Sequence, residues 1–534
     1  MRKNHLILLI LAIFILSLAV NYWPIYHKGF SYKFSADNLI LARNLSLADK
    51  YSITDEKNIV LSSALVAERG VDYNSNNILT PLIYGKLFDL FGFRPNLPLY
   101  VSLILYAFSV VLLFLLVLRR FNLYTALFFS AIYIFSPFII GGAIWFGFYE
   151  WAVLFFSIGI VIYFWNENPK TWRLIISSIF FGLAALARNA FLVSFIALLI
   201  YDFYSNFIYK KDWKLLKQWL FPAVKRIFIF VLPVVLLWGG VMIKDYLGDR
   251  NNPYIKLVET YDDHLFPDPY TYHFEKEQYI EHLKSVAQED QINGLIGYGY
   301  LDSWGARIKM HFISLKYYIN YFFRQPTLGG PVIIFFLILG IIFLYRKDKK
   351  LFVLPVFWIV FLFLILIGLR TTNEDHFIEI AFPLILLTAV GLVGSMDWLK
   401  QVVKNHVNFI FLASLIILVL FVHLIQSDKW MFHENYLYTG TQQKEDLLTI
   451  IKNVQNIGID EVIVVPGDCL FFNYYTDYNC VNFAPETVKK LLSENKLQWA
   501  FGQFGVTRVA GFGELLNERI AGVTNVQVID AETN

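Results

Sequence analysis

Four places in this chain combine residue types suited to chemistry with positions at the edge of apolar segments. Asp37 stands in the run Tyr32-Lys-Phe-Ser-Ala-Asp-Asn-Leu-Ile-Leu-Ala-Arg-Asn-Leu-Ser-Leu-Ala-Asp-Lys-Tyr51, about ten residues after the apolar stretch Leu6–Tyr22. A carboxylate held beside a bilayer surface can take a proton from an acceptor hydroxyl while a lipid presents the other reactant. Aspartate also favours a helix N-cap, and an apolar-periodic segment follows, so base and cap are both open readings. Glu150 lies in Trp145-Phe-Gly-Phe-Tyr-Glu-Trp151, where another apolar segment begins. An acid at such an edge needs a partner, water or a function; hydration inside an aromatic belt of Trp145, Tyr149 and Trp151 is the plain alternative. The run Arg370-Thr-Thr-Asn-Glu-Asp-His376 joins two more apolar segments. Its arginine and histidine can hold a phosphate by charge-assisted hydrogen bonds, or simply cap two helix ends. Arg188, followed by Asn189 in a short turn, adds a cation for which snorkelling to the headgroups is an equal reading.

The elements that must position these residues are membrane spans. Hydrophobic residues make up 57% of the chain and charged residues 16%, a balance outside that of soluble domains. A spanning helix needs about 20 mostly apolar residues because hydrocarbon leaves no backbone polar group satisfied by solvent. Segments near 5–22, 97–118, 123–142, 147–165, 172–188, 190–207, 227–246, 330–345, 351–369, 377–395 and 407–425 meet that description, about eleven in all. Segments 172–188 and 190–207 are the shortest and also read as one broken pair. Basic residues fall at alternate connections: Arg2-Lys3, Arg119-Arg120, Lys170 with Arg173, Lys210 to Arg226, Arg346 to Lys350, and Lys400 with Lys404. The positive-inside rule puts these on the cytoplasmic side with the N-terminus, and an odd number of spans puts the C-terminus outside. The first segment reads as an uncleaved anchor, since no small-x-small cleavage site follows it. A near-neutral net charge of +3 gives no reason to invoke nucleic acid.

The predicted organisation is a membrane domain over 1–425, with a first external loop 23–96 and a third 247–329, then an extracytoplasmic α/β domain over 426–534. In the first loop, Ser35–Lys50 and Ile78–Phe91 read as amphipathic helices along the interface, the second stopping at Gly92. In the tail, Lys444–Asn456 and Pro485–Asn495 read as helices. Glu461–Val465, Trp499–Phe504 and Thr507–Phe512 read as strands. The two cysteines, Cys469 and Cys480, lie in this tail, where a disulfide can persist; spacing alone leaves free thiols open. Asp262, Asp263, Asp268, His264 and His273 in the third loop match no ligand spacing and read as a solvated polar loop. The chain holds no phosphate loop of the Walker type and no His-Glu-x-x-His helix.

Taken in order, these segments resemble the GT-C superfamily of integral membrane glycosyltransferases, most closely the branch of protein O-mannosyltransferases and lipid A aminoarabinose transferases. Ser-Ala-Asp37-Asn-Leu-Ile-Leu-Ala-Arg-Asn-Leu45 is similar to the family's acidic first-loop motif. Asn77-Ile-Leu-Thr-Pro-Leu-Ile-Tyr-Gly-Lys-Leu-Phe-Asp-Leu-Phe-Gly92 is similar to its proline-leucine helix. Gly182-Leu-Ala-Ala-Leu-Ala-Arg188 and His376-Phe-Ile-Glu-Ile-Ala-Phe-Pro383 resemble further recurring segments. The resemblance implies inverting transfer of a hexosyl or pentosyl group from a polyprenyl-phosphate donor to a protein, glycan or lipid acceptor on the external face. It implies Asp37 as the base, Glu150 as the second acid of the site, and Arg370, His376 and Arg188 as contacts of the carrier phosphate. It requires no cofactor. The family motif has two neighbouring acids, whereas Asn38 follows Asp37 here, which disfavours a divalent metal. Oligosaccharyltransferases share the superfamily but carry a tryptophan-tryptophan-aspartate signature that this sequence lacks. The competing classes are a transporter or flippase for a lipid-linked or polar solute, which would place charges inside the spans, and a polysaccharide polymerase or ligase.

Overall fold

The computed structural model describes residues 3–28, 36–55, 59–70, 78–136, 147–166, 169–209, 216–239, 330–368, 378–403, 406–433, 458, 460–466, 469–483, 485–512 and 514–529, with single positions at 312, 315–316 and 319. In chain order the helices are α1 (Lys3–Lys28), α2 (Ala36–Ala48), α3 (Ser63–Arg69), α4 (Leu79–Phe91), α5 (Leu97–Arg120), α6 (Leu123–Ile134), α7 (Gly147–Phe164), α8 (Thr171–Ala187), α9 (Leu192–Phe203) and α10 (Leu216–Val234). They continue with α11 (Gly330–Lys347), α12 (Lys349–Gly368), α13 (Ile378–Val402) and α14 (His406–His433). The C-terminal region alternates β1 (Val462–Val465), α15 (Cys469–Thr476), β2 (Asn479–Asn482), α16 (Pro485–Ser493), α17 (Leu497–Phe504), β3 (Val506–Ala510), α18 (Glu514–Val523) and β4 (Gln527–Ile529). Contacts divide the chain into two units. One holds α1 and most of α5 through α14; the other holds α2–α4 together with the C-terminal sheet and its helices.

The first unit is a helical membrane assembly. Five helices among the described residues are long and apolar enough to cross a bilayer: Asn4–Tyr22, Leu97–Arg120, Asn189–Ile208, Phe221–Gly239 and Glu379–Val402. Leu123–Ile134, Tyr149–Phe164, Thr171–Ala187 and His406–Leu420 are shorter apolar helices. Lipid tails are as apolar as leucine, so close packing of small residues must bring such helices together. Helices α11 and α13 show this directly. A Cβ added at Gly340 would run into the Leu387 carbonyl oxygen, and one at Gly391 into the Phe336 carbonyl oxygen. Between α7 and α8, Ser177 Oγ donates to the Gly159 carbonyl at 2.8 Å, and Ser178 Oγ donates to the Phe230 carbonyl of α10. The alanines of Gly182–Arg188 have the same use, since Ala184, Ala185 and Ala187 are wholly buried.

The second unit is built on a four-stranded, all-parallel sheet in the order β2-β1-β3-β4. Strand β1 is buried on both faces, which is why it reads as the unbroken run Val-Ile-Val-Val. The first loop is part of this unit's core: Ile59, Leu61, Leu65 and Val66 pack with Val464, Val481, Phe483 and Leu491. Val60 exchanges both backbone hydrogen bonds with Cys480, at 3.0 and 2.9 Å, and so covers the exposed edge of β2. Cys469 and Cys480 are joined as a disulfide with Cα atoms 5.8 Å apart.

Several expectations meet the structure differently. Trp499–Phe504 is helix, not strand. Leu497, Ala500 and Phe501 are the buried positions, a spacing of three and four, and Gly505 ends the helix at φ +64°. Its aromatic content mimics a strand over so short a window. The segment read as 227–246 begins earlier, with α10 starting at Leu216 and carrying Pro222 and Pro233 inside it. Helix α2 is buried from Asn38 to Asn44 rather than along one stripe. The predicted helix Lys444–Asn456 and the third external loop lie outside the described residues, apart from isolated positions near the loop's end.

Candidate functional site

Asp37 occupies the first turn of α2 and is half-buried. An acid there is favoured by the unpaired N–H groups and positive dipole end of the helix. Its neighbour Asn38 is buried, with Nδ2 at a long 3.5 Å from Asp37 Oδ1 and an Oδ1 that has no partner among the described residues. Helix α2 packs against α4, whose Gly85 lets the two approach: a Cβ there would sit 3.2 Å from the Ala42 carbonyl oxygen. Further along α2, Arg43 is wholly buried. Its Nη1 donates to the Asn473 carbonyl at 2.7 Å and its Nη2 to Asn473 Oδ1 at 2.8 Å. Nη2 also lies 3.2 Å from Asp477 Oδ1. Burial draws the guanidinium pKa downward, and the Asp477 carboxylate is the largest influence opposing it. Nearby, Tyr474 donates to the Pro95 carbonyl at 2.9 Å, and burial pushes its phenol well above the ordinary range, so it stays a neutral donor.

In the helical unit, Glu150 lies in the first turn of α7 and is 4% exposed. Its Oε2 has no hydrogen-bond partner among the described residues. A buried carboxylate oxygen left in this way is costly. Arg188 occupies the break between α8 and the short turn Asn189–Phe191 that leads into α9. Its guanidinium lies 3.8 Å from the Tyr149 ring centroid. Its Nε donates to Glu379 Oε1 at 2.6 Å, with the arginine side chain 13% exposed and the glutamate fully buried. Asn189 beside it accepts a 2.8 Å hydrogen bond from Trp238 Nε1. One turn below Glu379, Phe382 packs with Phe129, Phe156 and Trp358 at 5.6 to 5.8 Å. That apolar floor strengthens the ion pair above it.

The structure thus brings Arg188 together with Tyr149, the neighbour of Glu150, and with Glu379. Glu379 is the residue that sequence reasoning passed over: an isolated acid three positions after His376 gives no sign of its partner. Arg370 and His376 lie outside the described residues. Asp37 belongs to the other unit. Among the described residues no group of three or more histidines, cysteines, aspartates or glutamates could hold a metal ion.

The fold of helical unit and small parallel sheet is similar to that of solved membrane-enzyme structures. Among solved structures, the Archaeoglobus fulgidus oligosaccharyltransferase tethered with an acceptor peptide containing the NVT sequon matches at a TM-score of 0.55. The match is 12% identical and covers 95% of this chain and 69% of that one. The same enzyme in complex with Zn and sulfate matches at 0.50, again 12% identical, over 94% of this chain and 67% of that one. ArnT from Cupriavidus metallidurans in the apo state superposes at 0.45 with 10% identity, over 99% of this chain and 90% of that one. No protein-family model matches the sequence, and no curated protein matches it by sequence.

Proposed function

We propose that this protein transfers a sugar from a polyprenyl-phosphate carrier to an acceptor on the extracytoplasmic face of a membrane, with inversion at the anomeric carbon. Residues 1–425 form the membrane-embedded transferase with its external loops, about eleven spans in all, and residues 426–534 complete it outside. The observation that carries this reading is a GT-C fold over 95% of the chain with a carboxylate, Asp37, in the first turn of the first-loop helix. In the reaction the acceptor oxygen attacks the anomeric carbon as the bond to the carrier phosphate breaks. Asp37 takes the acceptor proton, and polyprenyl phosphate leaves with the bonding electron pair. The sugar–phosphate bond is already activated, so positioning, a base and stabilisation of the departing charge suffice.

Glu150, with its unpartnered Oε2, accepts a hydrogen bond from a hydroxyl of the sugar or acceptor in this reading. Arg188, oriented by Glu379 and Tyr149, serves with Arg370 and His376 for the carrier phosphate. The absence of adjacent tryptophans in the sequence separates this chain from oligosaccharyltransferases and favours another acceptor chemistry. A transporter would place charges within its spans; Asp202 and Arg226 are such a pair. Arg226 binds Asp202 through Nε at 2.7 Å and Nη2 at 2.8 Å, while Tyr163 and Asn206 also donate to it. That closed knot reads as a staple between helices.

The test supplies the purified protein with a panel of polyprenyl-phosphate sugars and measures released polyprenyl phosphate. Asp37→Asn is expected to lower turnover by about 10²–10⁴-fold. Undiminished turnover in that variant removes the base. Failure of the wild type with every lipid donor turns the reading toward transport.

A further inference from the structure

We propose that Arg43 is a positioning residue for Asp37, and that the disulfide-closed segment 469–480 is the mount on which the Asp37 helix is fixed. The inference rests on the reading of Asp37 as the base. It follows from where the hydrogen bonds of one buried guanidinium go. Arg43 lies six positions after Asp37 on the same helix, a rise of about 9 Å. Fixing one residue of a short rigid helix in height and rotation therefore fixes the other. Beyond its own neighbour Asn44, the acceptors that hold Arg43 among the described residues come from residues 473–477: the Asn473 carbonyl, Asn473 Oδ1 and Asp477 Oδ1. A buried guanidinium is costly to desolvate, and an apolar side chain could fill the space, so what the arginine adds is a single allowed geometry.

The receiving segment is itself built to hold still. Asp477 sits at φ +57°, a left-handed conformation that aspartate tolerates. From there its carboxylate also accepts the Ser63 backbone N–H at 2.7 Å and the Ser63 hydroxyl, tying in the start of α3. Asn473 turns its Nδ2 to the Leu61 and Tyr478 carbonyls at 2.9 and 2.8 Å. Asn44, beside Arg43, accepts from Arg43 Nε and donates to the Ser52 carbonyl at 2.7 Å. The Cys469–Cys480 bond, between cysteines 11 positions apart, closes the segment that carries these acceptors. Through Val60, the first loop is paired to the same Cys480. The base is thereby referenced to the sheet and not only to the chain that carries it.

The experiment uses the full chain in lipid nanodiscs, comparing wild type, Arg43→Lys and Asp477→Asn by steady-state kinetics, pH–rate profile and amide hydrogen exchange. Arg43→Lys is expected to lower kcat on the order of 10²-fold with the KM for the acceptor nearly unchanged, and to move the acid limb of the profile. Asp477→Asn is expected to do the same to a smaller degree, and it serves should Arg43→Lys fail to fold. Amides of α2 should exchange faster in both variants while those of β1 to β3 stay protected. Loosened α2 amides with unaltered kcat and pH profile would overturn the positioning role, and unaltered exchange in α2 would overturn the mount. If the wild type turns over no lipid donor, the proposed reaction fails, and the exchange measurement still decides whether Arg43 holds the helix.

Discussion

The helical unit and the sheet unit both contain arginine–acid pairs with one partner buried, but they reach those pairs by different routes. In the helical unit each helix satisfies its own backbone, so neighbours need only approach closely. Gly340 against Leu387, Gly391 against Phe336, and Ser177 and Ser178 on facing carbonyls do this. Its pair Arg226–Asp202 joins residues 24 apart in sequence and its pair Arg188–Glu379 residues 191 apart. In the sheet unit, loops and short helices leave backbone groups that only distant chain can satisfy. Arg43 finds Asn473 across 430 residues, and Ser62 finds Asn479 across 417. The helical unit is held by shape and the sheet unit by addressed hydrogen bonds. The proposed base stands in the second kind of environment.

The largest test of this contrast is Gly391→Leu. Its side chain would have to displace the Phe336 carbonyl of α11, backbone that cannot yield as a flexible side chain does. We expect a loss of about 3 kcal/mol or more, measured by denaturant titration of the detergent-solubilised protein, with the helical unit losing its cooperative transition. A stability equal to wild type would show that α11 and α13 do not meet through these glycines.

A smaller effect separates charge from shape within the helical unit. Arg226→Met leaves Asp202 buried without its bidentate partner and should cost on the order of 3 kcal/mol. Adding Asp202→Leu should restore much of that loss, since an apolar pair of similar volume removes the uncompensated charge. The check is a double-mutant cycle on thermal unfolding. If the double variant is as unstable as the sum of the singles, the pair is more than a staple and the transport reading gains weight.

What was legible in the sequence divides between local signals and distant partnerships. Apolar runs announce helices wherever lipid or core demands them, so the break at Arg188 and the stop of α4 at Gly92 could be read directly. Asp37 was legible because an acid at the start of an apolar helix is a local signal. Arg43 was not, although it stands in the same motif, because its meaning depends on residues in another part of the chain. Glu379 was missed for the same reason, its partner Arg188 lying 191 positions away. Strand β2 was also missed. Asn479 and Asn482 bracket only two apolar residues, and Asn479 is there because its side chain caps the Ser62 amide and the Glu461 carbonyl. The helix α17 was mistaken for a strand because eight residues rich in aromatics satisfy both periodicities until the burial of Leu497, Ala500 and Phe501 is seen.

The smallest expected effect comes from a glycine that nothing touches. Gly502 lies within α17, and a Cβ added there meets no atom within 4 Å. Alanine at such a position keeps the helix and removes conformations available only to the unfolded chain, so Gly502→Ala should stabilise the sheet unit by about 0.5–1 kcal/mol. The same change of one methyl group at Gly391 must instead destabilise, because there the added carbon meets a carbonyl. Comparing the two alanine variants by thermal unfolding isolates helix contact from helix propensity. Opposite signs support an assembly in which the membrane helices meet backbone to backbone. A gain at both positions would mean that the α11–α13 crossing has room to spare, and the glycines there would need another explanation.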